Sequence, residues 1–363
     1  MCKPKLTISE VAKLAGVSKT TISHYLNGKF EYMSKDTKEH VGSIIKESGY
    51  QPSKIAQSLK SQNSFIIGII VSDIESPFTA GLIKSVEQAL SGSNYLIMTA
   101  NTDNSIEKEI QAIEAMQAQQ VDGLIVHTNN MDNDYLVSLA KAEFPIILAD
   151  RFVNNFDFDI VHIDNVEPIQ NLVSHLDHEG YEDIYFFSEN PEHISTRQLR
   201  VNAFNNIMEA KNVTSDQVRY IDILDTEAIK DRIVEIMEKF VKYRHKPAIV
   251  CENGVVLFVM AKCMKELGLS LPDEIALCGY DDWGGFARLG WADMLFDGIT
   301  TVSPSVYDLG QKVTNLLLAR IKDSKSASEE VVLQAPLIIR NSTELRSFNL
   351  KQAQKKTNES LNK

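Results

Sequence analysis

Between residues 65 and 280 the sequence alternates short apolar segments with amphipathic ones, and this alternation restricts the possible folds more than any other feature. The apolar segments read IIGIIVSD, YLIMTA, DGLIVH and PIILAD, and then DIYFFS, VRYIDIL, PAIVC and EIALCGY. Helices are predicted to begin at Phe78, Ser105, near Asp132, and at Val166, Thr196, Thr226 and Gly254. Strands that alternate with helices are typical of parallel sheets covered by helices, so an α/β fold is predicted.

The alternation restarts after Ile163-Asp164, and each part is about a hundred residues long. Two successive units of this size predict two lobes. Ligands of parallel sheets bind at the carboxyl ends of the strands. The cleft between the lobes is therefore the expected small-molecule site.

A different pattern occupies residues 7–28, which read TISEVAKLAGVSKTTISHYLNG. Apolar residues at the i, i+3, i+4, i+7 spacing predict a first helix, and Thr7 with Glu10 forms a capping-box pattern at its start. Gly16 ends this helix, and Ser18 can cap a second one. Two short helices joined by a tight turn predict a helix-turn-helix, whose second helix can enter a major groove of DNA.

The second helix has an apolar side and a polar side. Ile22, Tyr25 and Leu26 point toward a small core. The polar side carries only residues that can donate or accept a hydrogen bond: Lys19, Thr20, Ser23, His24 and Asn27. A face of this kind predicts DNA reading rather than a structural hairpin. A third helix is predicted from Ser34 to Gly49.

The charge is distributed unevenly along the chain. Residues 1–62 carry ten lysines and five acidic residues, a formal charge of +5, while the whole chain carries −12, so the remainder carries −17. A basic head can approach phosphates, whereas an acidic body is repelled from them. The distribution therefore favours a DNA-binding head.

The run LTISEVAKLAGVSKTTISHYLNG, followed by MSKDTKEHV and GYQPSKIAQSLKS, resembles the DNA-binding head of the lac-repressor-type (LacI/GalR) transcription regulators. The resemblance continues as far as the polar tail. It implies an all-α helix-turn-helix domain over 1–52, a hinge helix over 53–62 and a two-lobed body similar to periplasmic sugar-binding proteins.

The resemblance also implies how the lobes are completed. GITTV near residue 300, a helix from Pro304 and VVLQAPLII would cross back between the lobes, as in the family. The first lobe is then expected to comprise 63–164 with about 304–328, and the second 165–303 with about 329–345. The tail 346–363 is polar, lacks a heptad repeat and is predicted to be disordered, which favours a homodimer over a coiled-coil tetramer.

Lys19, Thr20 and His24 match the base-reading positions of the family, and Ser23 lies on the same face. Contacts to phosphate are expected from Thr7, Ser18, Asn27 and Ser34, which would set register without reading sequence. Residues 1–62 contain no arginine, so the bidentate arginine–guanine contact is absent from this head. His24 stands where relatives often carry arginine, and this departure predicts a deviant operator half-site.

The segment KIAQSLKS resembles the hinge helix of the family, which folds on operator DNA. Leu59 occupies the position that wedges into the minor groove, Ala56 the neighbouring one, and Lys60 could reach a central base or phosphate. An inserted apolar side chain unstacks one base step and costs a few kcal/mol, so a hinge that folds on DNA gives a sensitive switch.

Candidate effector-binding residues follow the predicted strands. Ser72, Asp73, His127 and Arg151 come after strands of the first lobe. In the second lobe the resemblance selects Arg200 in TRQLRVNAF, Asn253 in VCENG, where Gly254 replaces the aspartate of the family, and Asp281 in GYDDW, with Arg197 and Trp283 beside them.

The residue types in this set predict an anionic effector. Arg151, Arg197, Arg200 and His127 could bind a carboxylate or phosphate, because arginine holds such groups bidentately. Asp73, Asn253 and Asp281 suit sugar hydroxyls, and Trp283 could stack on a sugar ring. A sugar acid such as a uronate or 2-keto-3-deoxygluconate is expected. The alternative within the family is a corepressor, either a phosphorylated protein or a purine.

Other classes of protein find little support. The enzyme motifs GxSxG, GxGxxG, HExxH and the P-loop are absent, and His175 and His178 lack a third metal ligand at suitable spacing, so no catalytic role, metal or cofactor is expected. No apolar run reaches the ~20 residues of a membrane span. Four cysteines without CxxC spacing fit reduced, buried thiols. The expected location is the cytoplasm, and the expected partners are operator DNA and a small-molecule effector.

Overall fold

The computed structural model describes residues 6–50, 63–213, 216–282 and 290–345. The chain forms two compact units, residues 1–66 and 67–363. The first unit is the predicted head, and the second is the predicted α/β body. The hinge residues Ala56, Leu59 and Lys60, the aromatic Trp283 and the tail 346–363 lie outside the described residues.

The head contains α1 (Ile8–Leu14), α2 (Lys19–Leu26), a short 3-10 helix (Phe30–Tyr32) and α3 (Lys35–Ser48). The predicted capping box is present, because the Thr7 hydroxyl accepts from the Glu10 amide at 3.3 Å and Glu10 Oε2 accepts from the Thr7 amide at 2.6 Å. The predicted caps of α2 and α3 and the predicted end of α3 are also confirmed: Ser18, Ser34 and Gly49. The core of the head is small and consists of Val11, Ala12, Ala15, Ile22 and Val41.

The strands that follow are β1 (Ile66–Val71), β2 (Leu96–Asn101), β3 (Gly123–Val126), β4 (Ile146–Ala149), β5 (Asp159–Ile163), β6 (Asp183–Ser188), β7 (Val218–Tyr220), β8 (Pro247–Cys251), β9 (Ala276–Tyr280), β10 (Thr300–Val302), β11 (Glu330–Leu333) and β12 (Leu337–Ile338). The helices are α4 (Pro77–Ala89), α5 (Ile106–Ala118), α6 (Asp134–Lys141), α7 (Glu167–Glu179), α8 (Ser195–Ala210), α9 (Thr226–Tyr243), α10 (Gly254–Glu266), α11 (Trp291–Met294) and α12 (Val306–Lys322). A further 3-10 helix spans Asn341–Thr343.

These strands form two six-stranded sheets, one in each lobe. The first has the order β11-β5-β4-β3-β1-β2, and the second has the order β12-β10-β9-β8-β6-β7. In the first sheet β11, β5, β4, β3 and β1 pair in parallel, and in the second all neighbours do so except β12, which runs antiparallel to β10. The chain crosses between the lobes after β5, after β10 and after β11. The predicted α/β class with two lobes is therefore confirmed.

Two expectations about strands need correction. The predicted second lobe included 329–345, but β11 pairs with β5 in the first sheet, with Val331 opposite Val161. This edge position lets Val331 and Leu333 pack on the first lobe's core. In addition, the sequence analysis does not predict β5 as a strand, because it begins with Asp159, a charged residue that is buried here by an ion pair with Arg320 and a hydrogen bond from the Glu329 amide.

Helix α12 crosses back to the first lobe, as expected, and packs against α4. At Gly310 the two helices lie so close that an added Cβ atom would be 2.4 Å from Ser85 Cβ. Glycine is therefore required at this contact. In the described part of the chain no helix combines the length and apolarity that a membrane crossing requires.

Candidate functional site

The first candidate site is the polar face of α2 in the head. Lys19, Thr20 and Asn27 are exposed on this helix, and Ser23 and His24 are half-buried. Asn27 already donates through Nδ2 to the Ser23 carbonyl at 2.7 Å. The expected phosphate contacts Thr7, Ser18 and Ser34 are N-caps, so their hydroxyls also accept from the first turn of their own helices.

Aromatic residues that the sequence analysis had not singled out flank this face. The His24 ring lies 4.7 Å from the ring of Tyr32, centroid to centroid. Phe30 contacts Tyr25 edge-on and lies under the Lys38 ammonium at 3.7 Å. The 3-10 segment therefore limits the positions that His24 can adopt.

The second candidate site is a cavity of about 150 Å³ in the body. It lies where strands of both sheets end, because Ser72, His127 and Arg151 follow β1, β3 and β4, while Asn253 and Asp281 follow β8 and β9. All described residues that were predicted to bind effector line this cavity: Ser72, Asp73, His127, Arg151, Arg197, Arg200, Asn253 and Asp281. Their roles toward a ligand remain predictions.

Further lining residues were missed by the sequence analysis. These are Ser76, Phe78, Asn104, Asp150, Ile163, Glu189, Thr196, Ile223, Val255 and Pro304. Glu189 carried the same signal as the residues that were found, since it directly follows β6. Asp150 directly follows β4, and Ile163 is the last residue of β5. The remaining residues come from loops and helix starts, which no strand pattern identifies.

In the first lobe, Ser72 and His127 form one wall of the cavity. Ser72 Oγ and His127 Nδ1 are 3.0 Å apart, and the Phe78 ring lies 5.3 Å from the His127 ring. Burial, and then the positive charge of Arg151, hold the pKa of His127 well below its ordinary value. His127 is therefore neutral at pH 7 and does not supply the positive charge that the sequence analysis assigned to it.

In the second lobe, Arg200 links several elements of the cavity wall through its guanidinium. Its Nε donates to Asn165 Oδ1 at 2.7 Å, and its NH1 donates to the Glu252 carbonyl at 2.6 Å. Its guanidinium lies over the Tyr280 ring at 3.7 Å from the centroid. Asn165 belongs to the crossover after β5, so Arg200 joins the cavity directly to a segment that connects the two lobes.

Arg197 is bound by acidic residues rather than free. It forms ion pairs with Glu189 and, at 3.1 Å, with Glu252. Glu252 is fully buried and also accepts from the Ser188 hydroxyl at 2.7 Å. Burial raises the pKa of Glu252, and the charge of Arg197 opposes that rise. Arg197 is therefore already paired with two carboxylates, and its role toward an anionic ligand stays a prediction.

Asn253 and Asp281 also have structural partners. Asn253 is the N-cap of α10, with Oδ1 accepting from the Val256 amide at 2.9 Å. Asp281 Oδ2 accepts from the Gly254 amide at 2.9 Å. Burial raises the pKa of Asp281, whereas Arg200 and the Gly254 amide lower it. Asn253 Nδ2 also donates to Glu252 Oε1 at 3.2 Å, whereas Asp281 has a second carboxylate oxygen that can face a ligand.

Comparison with known proteins agrees with this architecture. The family model for bacterial regulatory proteins of the lacI family matches residues 7–53, and the model for periplasmic binding proteins and the sugar binding domain of the LacI family matches residues 64–341. The chain belongs to the LacI family. It is thus a DNA-binding transcriptional regulator, as its head and body had predicted.

Individual relatives span nearly the whole chain. The HTH-type transcriptional regulator KdgR of Bacillus subtilis is 34% identical over 337 residues, which is 93% of this chain and 97% of that protein. The regulator PtxS of Pseudomonas aeruginosa is 30% identical over 339 residues, 93% of this chain and 96% of that protein. The lac repressor dimer bound to operator and the anti-inducer ONPF has the same fold, with a TM-score of 0.78 at 19% identity, over 94% of this chain and 99% of that one.

Proposed function

We propose that this LacI-family regulator represses transcription as a homodimer on a near-palindromic operator and is released by a sugar or sugar acid. The observation that carries the proposal is the cavity in which residues of both lobes converge. Arg151 and Ser72 from the first lobe line it together with Arg200 and Asp281 from the second. A ligand held by both lobes can change how the lobes are arranged, which is the requirement for a switch.

The head supports the operator part of this proposal. Lys19 and Thr20 are exposed at the start of α2, where a recognition helix contacts base edges. Lysine can reach guanine O6 and N7, and threonine can contact either base of a pair. Because the head lacks arginine, the half-site should differ from one that is read through arginine–guanine contacts.

The hinge remains a prediction from the sequence. Leu59 would wedge between base steps, with Ala56 beside it and Lys60 near a base or phosphate. Effector binding would then separate two hinge segments that must meet in the minor groove. Such a regulator acts on DNA in the bacterial cytoplasm, and the proposal assigns no catalytic step to the cavity.

The cavity supports a small effector. A volume of about 150 Å³ suits a single six-membered ring. Asp73, Asn253 and Asp281 offer acceptors and donors for hydroxyl groups, while Arg151 and Arg200 offer positive charge. This combination favours a sugar acid over a neutral sugar. A purine or a phosphorylated co-regulator protein, acting as corepressor, is the second candidate for the effector.

The operator can be identified by selection from random duplexes with the full-length protein. We expect two half-sites about one helical turn apart. Lys19→Ala should reduce discrimination at one position of each half-site by ~1–3 kcal/mol, or about 5–150-fold, whereas Lys262→Ala on the body should leave it unchanged. An absence of preference for any palindromic duplex, with or without small molecules, would refute the proposal.

The sign of the effector response follows from the same selected duplex. A sugar or sugar acid should weaken operator binding by the purified protein. If a purine or a phosphorylated protein instead strengthens operator binding, and no sugar changes it, then the corepressor alternative is correct.

A further inference from the structure

The three arginines that line the cavity differ in how far their nitrogens are already used. Arg197 forms ion pairs with Glu189 and Glu252. Two nitrogens of Arg200 donate to protein acceptors, and its plane is covered by the Tyr280 ring. Both arginines therefore hold the second lobe together as well as facing the cavity.

Arg151 is less engaged. Its NH1 donates to the Thr128 carbonyl at 3.0 Å, but its Nε is buried and has no hydrogen-bond partner among the described residues. Within the same described part of the chain, no carboxylate lies within ion-pair distance of its guanidinium. A buried charged donor without an acceptor costs free energy, so the site is incomplete in the absence of a ligand.

The guanidinium is nevertheless held in place. The Thr128 hydroxyl donates to Glu109 Oε1 at 2.8 Å, and the Asn129 amide donates to Glu109 Oε2 at 2.7 Å. Glu109 is itself fully buried on α5. These bonds fix the backbone that carries the Thr128 carbonyl, which in turn fixes one edge of Arg151. A preorganised donor of this kind loses little conformational freedom when it binds an anion.

We infer that Arg151 binds the carboxylate of the effector and that this contact makes the site selective for sugar acids over neutral sugars. The inference rests on the proposed function, which places the effector in this cavity. A carboxylate in the cavity would accept from Arg151 NH2, which makes no hydrogen bond among the described residues, and would bring a negative charge close to the buried Nε. A neutral sugar offers no charge to the guanidinium and leaves part of its burial cost uncompensated.

Arg151 keeps its positive charge at neutral pH although its side chain lies in the cavity wall. Burial, and then the positive charge of Arg197, lower the pKa of Arg151 to about 10, although the charges of Asp150, Glu109 and Glu252 oppose the shift. The guanidinium therefore stays protonated at neutral pH, and a bound anion would raise its pKa back toward the ordinary value. By contrast, His127 nearby is neutral and cannot replace this charge.

The experiment compares acids with neutral counterparts by isothermal titration of the full-length protein. The pairs are galacturonate with galactose, glucuronate with glucose and gluconate with glucitol, and 2-keto-3-deoxygluconate is titrated as well. The unsubstituted protein should bind at least one acid ~10-fold or more tightly than neutral compounds. Arg151→Gln should weaken binding of that acid by ~10–100-fold, from the loss of one charged hydrogen bond, and change neutral-sugar affinity little.

Two further variants test the assignment. Arg197→Gln, the matched control, should keep the ratio of acid to neutral affinity, even if both affinities fall. Arg151→Lys retains the charge without the guanidinium fork and should keep part of the preference, which also covers the case in which Arg151→Gln does not fold. Retention of the full ratio by both Arg151 variants, or its loss only in Arg197→Gln, would overturn the inference.

The outcomes also separate this inference from the proposed function. If the unsubstituted protein prefers an acid and Arg151→Gln keeps that preference, only the assignment of Arg151 falls. If the unsubstituted protein binds neutral sugars as tightly as acids, selectivity for acids falls while a sugar effector remains. If the unsubstituted protein binds none of these compounds, both the proposed effector class and the inference are wrong.

Discussion

Replacement of Arg200 by lysine keeps the positive charge but removes the planar guanidinium. Arg200 is only 8% exposed and donates simultaneously to Asn165 at 2.7 Å and to the Glu252 carbonyl at 2.6 Å. A lysine ammonium at the end of a single stem can reach one of these acceptors, but it cannot reproduce the fork that reaches both. The second acceptor then loses its donor inside the cavity wall.

The expected cost follows from these contacts. One lost hydrogen bond to a charged group is worth ~1.5–3 kcal/mol, and a weakened stack over Tyr280 adds ~0.5–1 kcal/mol, giving a total of about 2–4 kcal/mol. A loss of 1 kcal/mol lowers the melting temperature by roughly 2–4 °C in a unit of 150–250 residues. The body of this protein should therefore melt at least ~4 °C lower in Arg200→Lys.

Differential scanning calorimetry of the full-length variant measures this change. Arg232→Lys is the matched control, because Arg232 is exposed on α9 and its replacement should change stability by less than ~0.5 kcal/mol. The stabilisation produced by a bound effector should also shrink in Arg200→Lys, since Asn165 at the crossover loses its contact with the cavity. Equal melting temperatures for the two variants would refute the role assigned to Arg200.

Three other substitutions test different parts of the structure. Ile22→Ala removes a fully buried side chain from the small core of the head and should lower the unfolding free energy of the head by ~2–5 kcal/mol, so that specific DNA binding is lost while the melting temperature of the body is unchanged. Leu14→Ala, at an exposed position, is the control. Normal operator affinity in Ile22→Ala would contradict the assigned core. Gly310→Ala should destabilise the body by ~1–3 kcal/mol in thermal melts, and Ser85→Gly in the same chain should recover part of this loss. If the effects of the two substitutions simply add in the double variant, the two helices do not meet at this point. Burial raises the pKa of Glu252, so the folded state holds this proton more tightly than the unfolded state, and the contribution of Glu252 to stability falls as pH rises above about 4.5. Glutamine does not titrate, so the unfolding free energy of Glu252→Gln relative to the unsubstituted protein should increase from pH 4.5 to 7. A difference that stays constant over this pH range would be inconsistent with this reasoning.

The elements that sequence reasoning predicted well depend on neighbouring residues. The caps at Thr7, Ser18 and Ser34 and the left-handed Gly49 at the end of α3 each involve a few adjacent residues, and all of them form as expected. The strand ends were predicted for the same reason. Because the carboxyl ends of parallel strands lie at one edge of a sheet, the residues after them could be expected to line one cavity.

The errors arose where distant residues decide the outcome. β5 contains a buried Asp159, whose charge is paired with Arg320 on α12 and which also accepts from the Glu329 amide. β11 joins the first sheet because an edge beside β5 is open to it, which no local pattern reveals. Similarly, Glu252 was missed although it adjoins Asn253, because its importance comes from the ion pair with Arg197.

By itself the sequence determined that a basic helix-turn-helix precedes a two-lobed α/β body, and which strand ends face the cleft. These features depend on helix caps, apolar periodicity and charge, all of which act over a few residues. Only the tertiary structure decided which of the arginines in the cavity are already paired, and that His127 is neutral. Ion pairing and burial depend on residues far apart in the chain, so the charge that a ligand meets becomes known only when both lobes are folded.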